Sequence, residues 1–494
     1  MRSQNLIPLS EVQAATLAGG LWKADPYSPC IERTAASTAQ IKAGTSVAVA
    51  GKIIQFAAAT AISMPATMLA GTDYAVYVCY DGVIVASSAW DAPTGYTTSN
   101  SRKIGGFYYA LSAASVATTN RARTSNVATI TLGAGHGFVT GDVADISLMS
   151  DATYNGVNKT LTVSGNNISY DSNGTDEGST ADTAGQCRKV NNSGDINSYS
   201  IWDMKFRPTC PDPRGMVLVA NTFWADIWLM GVNYSTSANG YRTSVKGDTI
   251  ADGSSPPYVP VLFGGSGGKY SSLTWYEAAE VLAAAGKQLL TYIEFTLATS
   301  GVTEATSSGT DPVVNCRRAG FTSRWGLELA TGNMYVWGRD LSFRFDHITS
   351  LTAASRARAT NVATIVTGSA HNLLAGDVIS LETFGGTGYN RSFVTVASIV
   401  NSTTFTYNCT GSDEGTTADT AGRVKKSGPD WGWVNVSRGQ LYIQGGLGLV
   451  APLMGGNWGN GSVSGSRCAH WSSYPWSSGS NIGARGRSDH LILV

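Results

Sequence analysis

The chain is 494 residues long, enough for three or four domains rather than one core. Charged residues are only 14%, and 34 Lys+Arg balance 34 Asp+Glu, so no basic stripe exists to meet a phosphate backbone and no nucleic-acid partner is expected. With 57 Gly, 21 Tyr and 13 Trp, the chain reads as β-rich and turn-rich, and its polar but weakly charged surface suits saccharide or protein contacts.

Residues 1–20 contain no continuous apolar run, so they read as an N-terminal arm or short helix and not as a secretory signal. From 21 to 112, alternating runs such as TSVAVAGKIIQFA and TDYAVYVCYDGVIVASS are separated by turn signals at Tyr80-Asp81-Gly82 and Ala92-Pro93-Thr94-Gly95. That spacing predicts an antiparallel β-sandwich. An internal repeat follows. RARTSNVATITLGAGHGFVTGDV at Arg121 recurs 235 residues later at Arg356, and DEGSTADTAG at Asp176 recurs 237 residues later at Asp413. Val, Ile and Thr with Gly-Asp turns predict two inserted, homologous all-β (Ig-like) modules, at 113–190 and 351–426.

The longest apolar stretch, MVLVANTFWADIWLMGV from Met216, is broken by Asn221 and Asp226, so no membrane insertion is expected. A protein of this kind is soluble, made in a cytoplasm, and works outside the cell if it leaves as part of a particle. TWYEAAEVLAAAG offers Thr274 and Glu277 as a capping box and Gly286 as a stop, and TYIEFTLA repeats the box with Thr291 and Glu294. Two helices among many short strands make the fold class α+β, mostly β. The seven cysteines are scattered with no CxxC spacing, which argues against a disulfide framework or a zinc site.

The tail from Gly455 to Val494 fits neither helical nor strand periodicity. Trp458, Arg467, Trp471, Pro475, Trp476 and Arg485 alternate with small or polar residues among glycines. This reads as a rigid frame displaying an adaptable surface, the composition of antibody-type paratopes.

The strings AGTDYAVYVCYDG, DAPTGYTTSNSRKIGGFYYA, SYSIWDMKFRPTCPDPRGMVLVANTFWADIWLMGVNY and TEATSSGTD, and the tail with GGNW, SGSR, IGARG and DHLIL, occur in one consistent order. They cover most of the chain outside the repeats, and on them it resembles the major tropism determinants, phage receptor-binding tip proteins diversified by a retroelement. The resemblance implies the sandwich at 21–112, then a C-type-lectin-like domain at 191–350 and 427–494 with its variable region at 455–487. It also implies a homotrimer at the distal tail fibre of a virion, synthesised in the host cytoplasm. The implied partners are a bacterial surface receptor, protein or glycan, and other tail-fibre proteins; no cofactor and no metal are implied. Two departures stand out: the chain begins almost directly at the sandwich, without the family's N-terminal prism domain, and it carries the two modules.

Carried over residue by residue, the receptor-binding variable positions are Asn457, Gly459, Asn460, Gly461, Val463, His470, Ser472, Ser473, Tyr474, Ser477, Gly479 and Asn481, with Ile482 a further candidate. Mutagenesis at template adenines lets an AAC codon become Asn, Ser, Gly, His, Tyr or Val, but never Trp. The scaffold is then Trp458, Arg467, Trp471, Pro475, Trp476 and Arg485. Exposed substitutions change stability by roughly ±0.5 kcal/mol, whereas deleting a buried Trp costs about 3–5 kcal/mol.

Enzymatic chemistry finds little footing. Gly264-Gly265-Ser266-Gly267-Gly268 fits GxSxG without apparent Asp and His partners, and the adjoining Lys269 fails the phosphate-loop spacing. The five histidines (His136, His347, His371, His470, His490) are dispersed, which favours structural or surface roles over metal ligation. No Glu-Pro-Asn or Gln-Pro-Asp string of the calcium lectins occurs. GGNW and SRCA are also similar to formylglycine-generating enzymes, but Cys468 is alone in its segment and reads as a small buried residue. A glycan-cleaving tailspike needs two opposed carboxylates, and the tail offers only Asp489; the DEG strings of the repeats read as solvated turns rather than calcium turns. The remaining alternative is a purely structural virion protein.

Overall fold

Runs of β-branched residues bounded by glycine turns give strands throughout the computed structural model, which describes residues 20–234, 242–345, 350–386, 388–426, 438–442 and 447–493. The N-terminal arm up to residue 19 lies outside the described residues. Two small sheets come first: Leu21–Trp22 with Thr45–Val49 and Lys52–Phe56, and Ile31–Ala35 with Thr38–Ile41 and Thr60–Ala61. Their inward residues Leu21, Ile31, Ile41 and Val47 share one core with Val76, Val78, Ile104 and Phe107 of the hairpin Thr72–Cys79 and Ser101–Leu111.

That hairpin belongs to a sheet that runs on into later parts of the chain. Its second strand pairs with Trp202–Asp203, and the sheet continues through Phe206–Pro208, the C-terminal strand Gly486–Ile492, Phe223–Asp226 and Met216–Val219. One ten-stranded sheet therefore joins the N-terminal and C-terminal parts of the chain. The junction needs glycine. A Cβ at Gly105 would lie 2.3 Å from the Trp202 carbonyl oxygen, and one at Gly106 would lie 2.6 Å from that of Tyr74. Asp203, fully buried, accepts from Lys23 Nζ at 2.8 Å and from the Cys30 backbone N–H at 2.7 Å, tying the first small sheets to the junction.

Each repeat builds its own sheet, of eight strands between Ser115 and Lys189 and of seven between Leu351 and Lys426. The opening hairpins turn at Ser125-Asn126 and Thr360-Asn361, all four residues at positive φ, as a two-residue turn matched to strand twist requires. The DEG aspartates hold those turns: Asp176 accepts from the Ser125 N–H at 2.8 Å and Asp413 from the Thr360 N–H at 2.9 Å. Inside, Arg121 pairs with Glu177 and Asp182, and Arg356 with Glu414 and Asp419. Arg123 lies 3.9 Å over the Tyr154 ring and Arg358 4.5 Å over that of Tyr389. His136 and His371 each accept a backbone N–H through Nδ1, from Phe138 and Leu373, while Nε2 lies 3.0 Å from the Gly165 and Asn401 carbonyls respectively. Both act as locks on a turn.

The helices are Trp275–Ala284 and Tyr292–Ala298, each opened by the expected capping box, and Gly286 just past the first has φ 68°. All seven cysteines are free and buried.

Candidate functional site

The tail is held from beneath by Arg485, which is 0% exposed. Its Nη1 donates to the carbonyls of Asp226 and Ile227 at 2.8 and 2.7 Å, and its Nη2 to those of Glu328 and Leu329 at 2.6 and 3.2 Å. Burial pulls this guanidinium down to about 10, against the raising effect of Asp226 and Glu328, so it remains charged near neutrality. Beside it, Lys287 and Asp226 form a buried ion pair at 2.6 Å. The strand Ala469–Ser473 is clamped between Leu447–Met454, antiparallel, and Leu441–Tyr442, parallel. Ile482–Gly483 runs parallel to Tyr335–Trp337, so both ends of the variable stretch are hydrogen-bonded into one six-stranded sheet.

The loop between Met454 and Ala469 is cradled by the TEATSSGTD string. Ser307 Oγ donates to the Trp458 carbonyl at 2.8 Å and accepts from the Gly461 N–H at 2.9 Å, the Gly309 N–H reaches the same carbonyl at 3.0 Å, and Glu304 accepts from Ser466 N–H and Oγ at 2.8 and 2.6 Å. Gly253 N–H binds the Gly479 carbonyl at 3.0 Å, and Trp275 N–H binds that of Pro475, also at 3.0 Å.

On this frame Gly459 and Gly461 are exposed, and Asn457, Asn460, Val463, His470, Ser472, Ser473, Tyr474, Ser477, Gly479 and Asn481 are half-buried. None of these positions is buried. The intervening Ser464, Gly465, Ser466, Cys468, Ala469 and Pro475 are, as is the further candidate Ile482, at 7% exposure. Asn457 and Asn460 spend part of their hydrogen-bonding capacity locally, Asn457 Oδ1 accepting from Gly459 N–H at 2.8 Å and Asn460 Oδ1 from Asn457 N–H at 2.7 Å. Ser462, Ser478 and Ser480, outside the expected set, are exposed as well.

The expected pillars divide. Arg485 and Pro475 are buried, but Trp458, Arg467 and Trp471 are only half-buried, and Trp476 stands 60% exposed with its ring stacked on Tyr474 at 5.0 Å. Burial is thus not what all the tryptophans share. Trp471 meets Tyr292 edge-on at 6.1 Å, whereas Trp476 lies on a turn that presents its ring outward.

His470 sits in an aromatic slot, stacked on Tyr442 at 4.6 Å and near Tyr335 at 6.5 Å. Burial pushes its imidazole down to about 4, so it is neutral at pH 7. Tyr442 and Tyr335 come from segments distant in sequence, and their aromatic character alone gave no sign of this role. Glu304 and Ser307, by contrast, lay within a string already singled out.

Ser266 lies in a loop after the short turn Val261–Phe263 and has no hydrogen bond to a histidine or carboxylate among the described residues. Cys468 is 3% exposed, and burial pushes its thiol up to about 12, which suppresses thiolate chemistry at neutral pH. Asp489 pairs with Arg487. Among the described residues no group of three or more His, Cys, Asp or Glu side chains is placed to hold a metal.

An ordered backbone, fixed by buried ionic and hydrogen-bonded anchors and bearing small polar side chains on an accessible face, defines a display protein built for surface recognition. Residues 29–134 match the family model described as "Mtd second domain", a match that runs past Leu111 into the first two strands of the first repeat. The chain is 35% identical over 481 residues to the "Tail fiber receptor-binding protein" of Bordetella phage BPP-1, covering 95% of this chain and 84% of that one. It is also similar to solved structures titled "Major Tropism Determinant U1 Variant" and "Major Tropism Determinant I1 Variant". The TM-scores are 0.55 and 0.56, each at 32% identity over 96% of this chain and 87% of the other. The chain belongs to the major tropism determinant family, and its mostly β fold is that family's.

Proposed function

We propose that this protein is the receptor-binding tip of a phage tail fibre, and that it grips a bacterial surface protein or glycan through the side chains at 457–481. The observation behind this reading is the division within the tail: no proposed contact position is buried, while Ser464, Gly465, Ser466, Cys468, Ala469 and Pro475 between them are. Such a frame tolerates exchange of its outward side chains because the folding energy resides elsewhere. Binding requires no chemical step. The reading includes a homotrimer carried at the distal end of the fibre, attached to other tail-fibre proteins, with the 455–487 segment diversified through a retroelement.

Because the present face is rich in Gly, Ser and Asn, each copy binds weakly and avidity across copies strengthens adsorption. The test compares the purified protein with whole virions on host cells. Virions are expected to bind at least about a hundredfold more tightly. Equal apparent affinity contradicts the reading, and shortened host glycan after incubation with the purified protein points to a depolymerase instead.

A further inference from the structure

Where the first repeat meets the C-terminal part, a cavity of about 130 Å³ opens between the strands Val143–Ser147 and Gln186–Lys189 and the segments Lys246–Gly247 and Val314–Arg317. That is room for several water-sized groups. Three cations, Arg188, Lys246 and Arg317, and one carboxylate, Asp145, line it. Lys246 is paired with Asp145 at 2.9 Å, and Arg317 with Glu328, which lies outside the lining, at 2.6 Å. Arg188 is left over. It is 7% exposed, lines the cavity, and among the described residues donates only to the Ala113 carbonyl, with no carboxylate in ion-pair reach.

A buried guanidinium without an acid is costly, because its desolvation is repaid only by a partner that satisfies its fork of donors. Proteins close such an account with a carboxylate or a phosphate, which Arg engages through two parallel bonds. The walls beside Arg188 carry the neutral donors and acceptors Ser115, Ser147, Asn155 and Gln186, the groups that orient a hydroxylated ligand once its charge is anchored. Burial, and then the nearby Arg317, pull the Arg188 guanidinium below its ordinary value against the weaker raising effect of Glu328 and Asp145, and a bound anion would oppose that fall.

We propose that this cavity binds a small oxyanion, a carboxylate- or phosphate-bearing molecule whose charged head sits on Arg188 and whose hydroxyls meet Gln186, Asn155 and Ser147. Bound there, the ligand touches the first repeat and the C-terminal part at once and fixes one against the other. The site is independent of the receptor-binding face: none of its residues falls within 457–481, and its walls come partly from the repeat.

The test is calorimetric titration and thermal melting of the full chain with glucuronate, inorganic phosphate and glucose at matched ionic strength. Saturable one-site binding of glucuronate or of phosphate, with a raised melting temperature and no response to glucose, is the expected result, and the anion that binds identifies the source. Arg188→Gln is expected to weaken binding at least about tenfold. Gln186→Glu, an isosteric change at a half-buried wall position, keeps the fold and is expected to do the same by repelling the anion. No saturable binding of either anion at millimolar concentration overturns the proposal, as does unchanged affinity in both variants.

Discussion

Replacing Arg485 by leucine probes the frame at its base. The substitution removes charge-assisted bonds to the carbonyls of Asp226, Ile227, Glu328 and Leu329 and leaves a shorter apolar side chain among them. Each such bond contributes about 1.5–3 kcal/mol, and the desolvation of a buried guanidinium offsets several kcal/mol of their sum. Not every acceptor is orphaned, because the Ile227 carbonyl keeps the Glu328 N–H at 2.8 Å. The net loss is therefore placed at about 3–5 kcal/mol, the cost of breaking a buried charged network from one side. At roughly 2–4 °C per kcal/mol for a unit of this size, the calorimetric transition of the C-terminal part falls by on the order of 10 °C. A loss under about 1 kcal/mol would refute the claim that this side chain holds the tail.

His470 gives a pH-dependent expectation. Its folded-state pKa, about 4, lies below the ordinary value of 6.5, so the unfolded chain takes up the proton first as pH falls. The stabilising contribution is complete above about pH 6.5 and is lost between there and pH 4, up to about 3 kcal/mol in total. Melting curves across that range are expected to steepen for the native protein relative to His470→Asn, and identical pH profiles would exclude the effect. Trp476→Ala is expected to change stability by less than about 1 kcal/mol, since the ring is 60% exposed, while weakening host-cell binding about tenfold or more. A large fall in melting temperature with binding intact would return Trp476 to the scaffold.

Much of this was legible from local pattern. Thr274 with Glu277 and Thr291 with Glu294 announce helix starts because a capping box is a contact across three residues, and both boxes form. The repeat was visible as a string, and the structure gives its reason in the paired Arg121 and Arg356 networks. Long-range placement was not legible. Nothing in KIGGFYY says that Gly105 and Gly106 lie under Trp202 and Tyr74, so the ten-stranded sheet shared by both ends of the chain could not be foreseen. Nor does composition separate a Trp on a strand, such as Trp471, from one on a turn, such as Trp476. The slot formed by Tyr335 and Tyr442 around His470 depends on pairings across more than a hundred residues in one case, which no local signal carries.

The central claim is that side chains at 457–481 set recognition while the buried frame sets folding. The most direct measurement is the adsorption rate of virions carrying Gly459→Ser, Asn460→Ser, Ser472→Tyr, Ser477→Tyr and Asn481→Tyr together, alongside the melting temperature of the same purified variant. The account predicts adsorption to the original host reduced at least about a hundredfold, with stability within about 2 kcal/mol of the parent. Unchanged adsorption, or a variant that fails to fold, would contradict it.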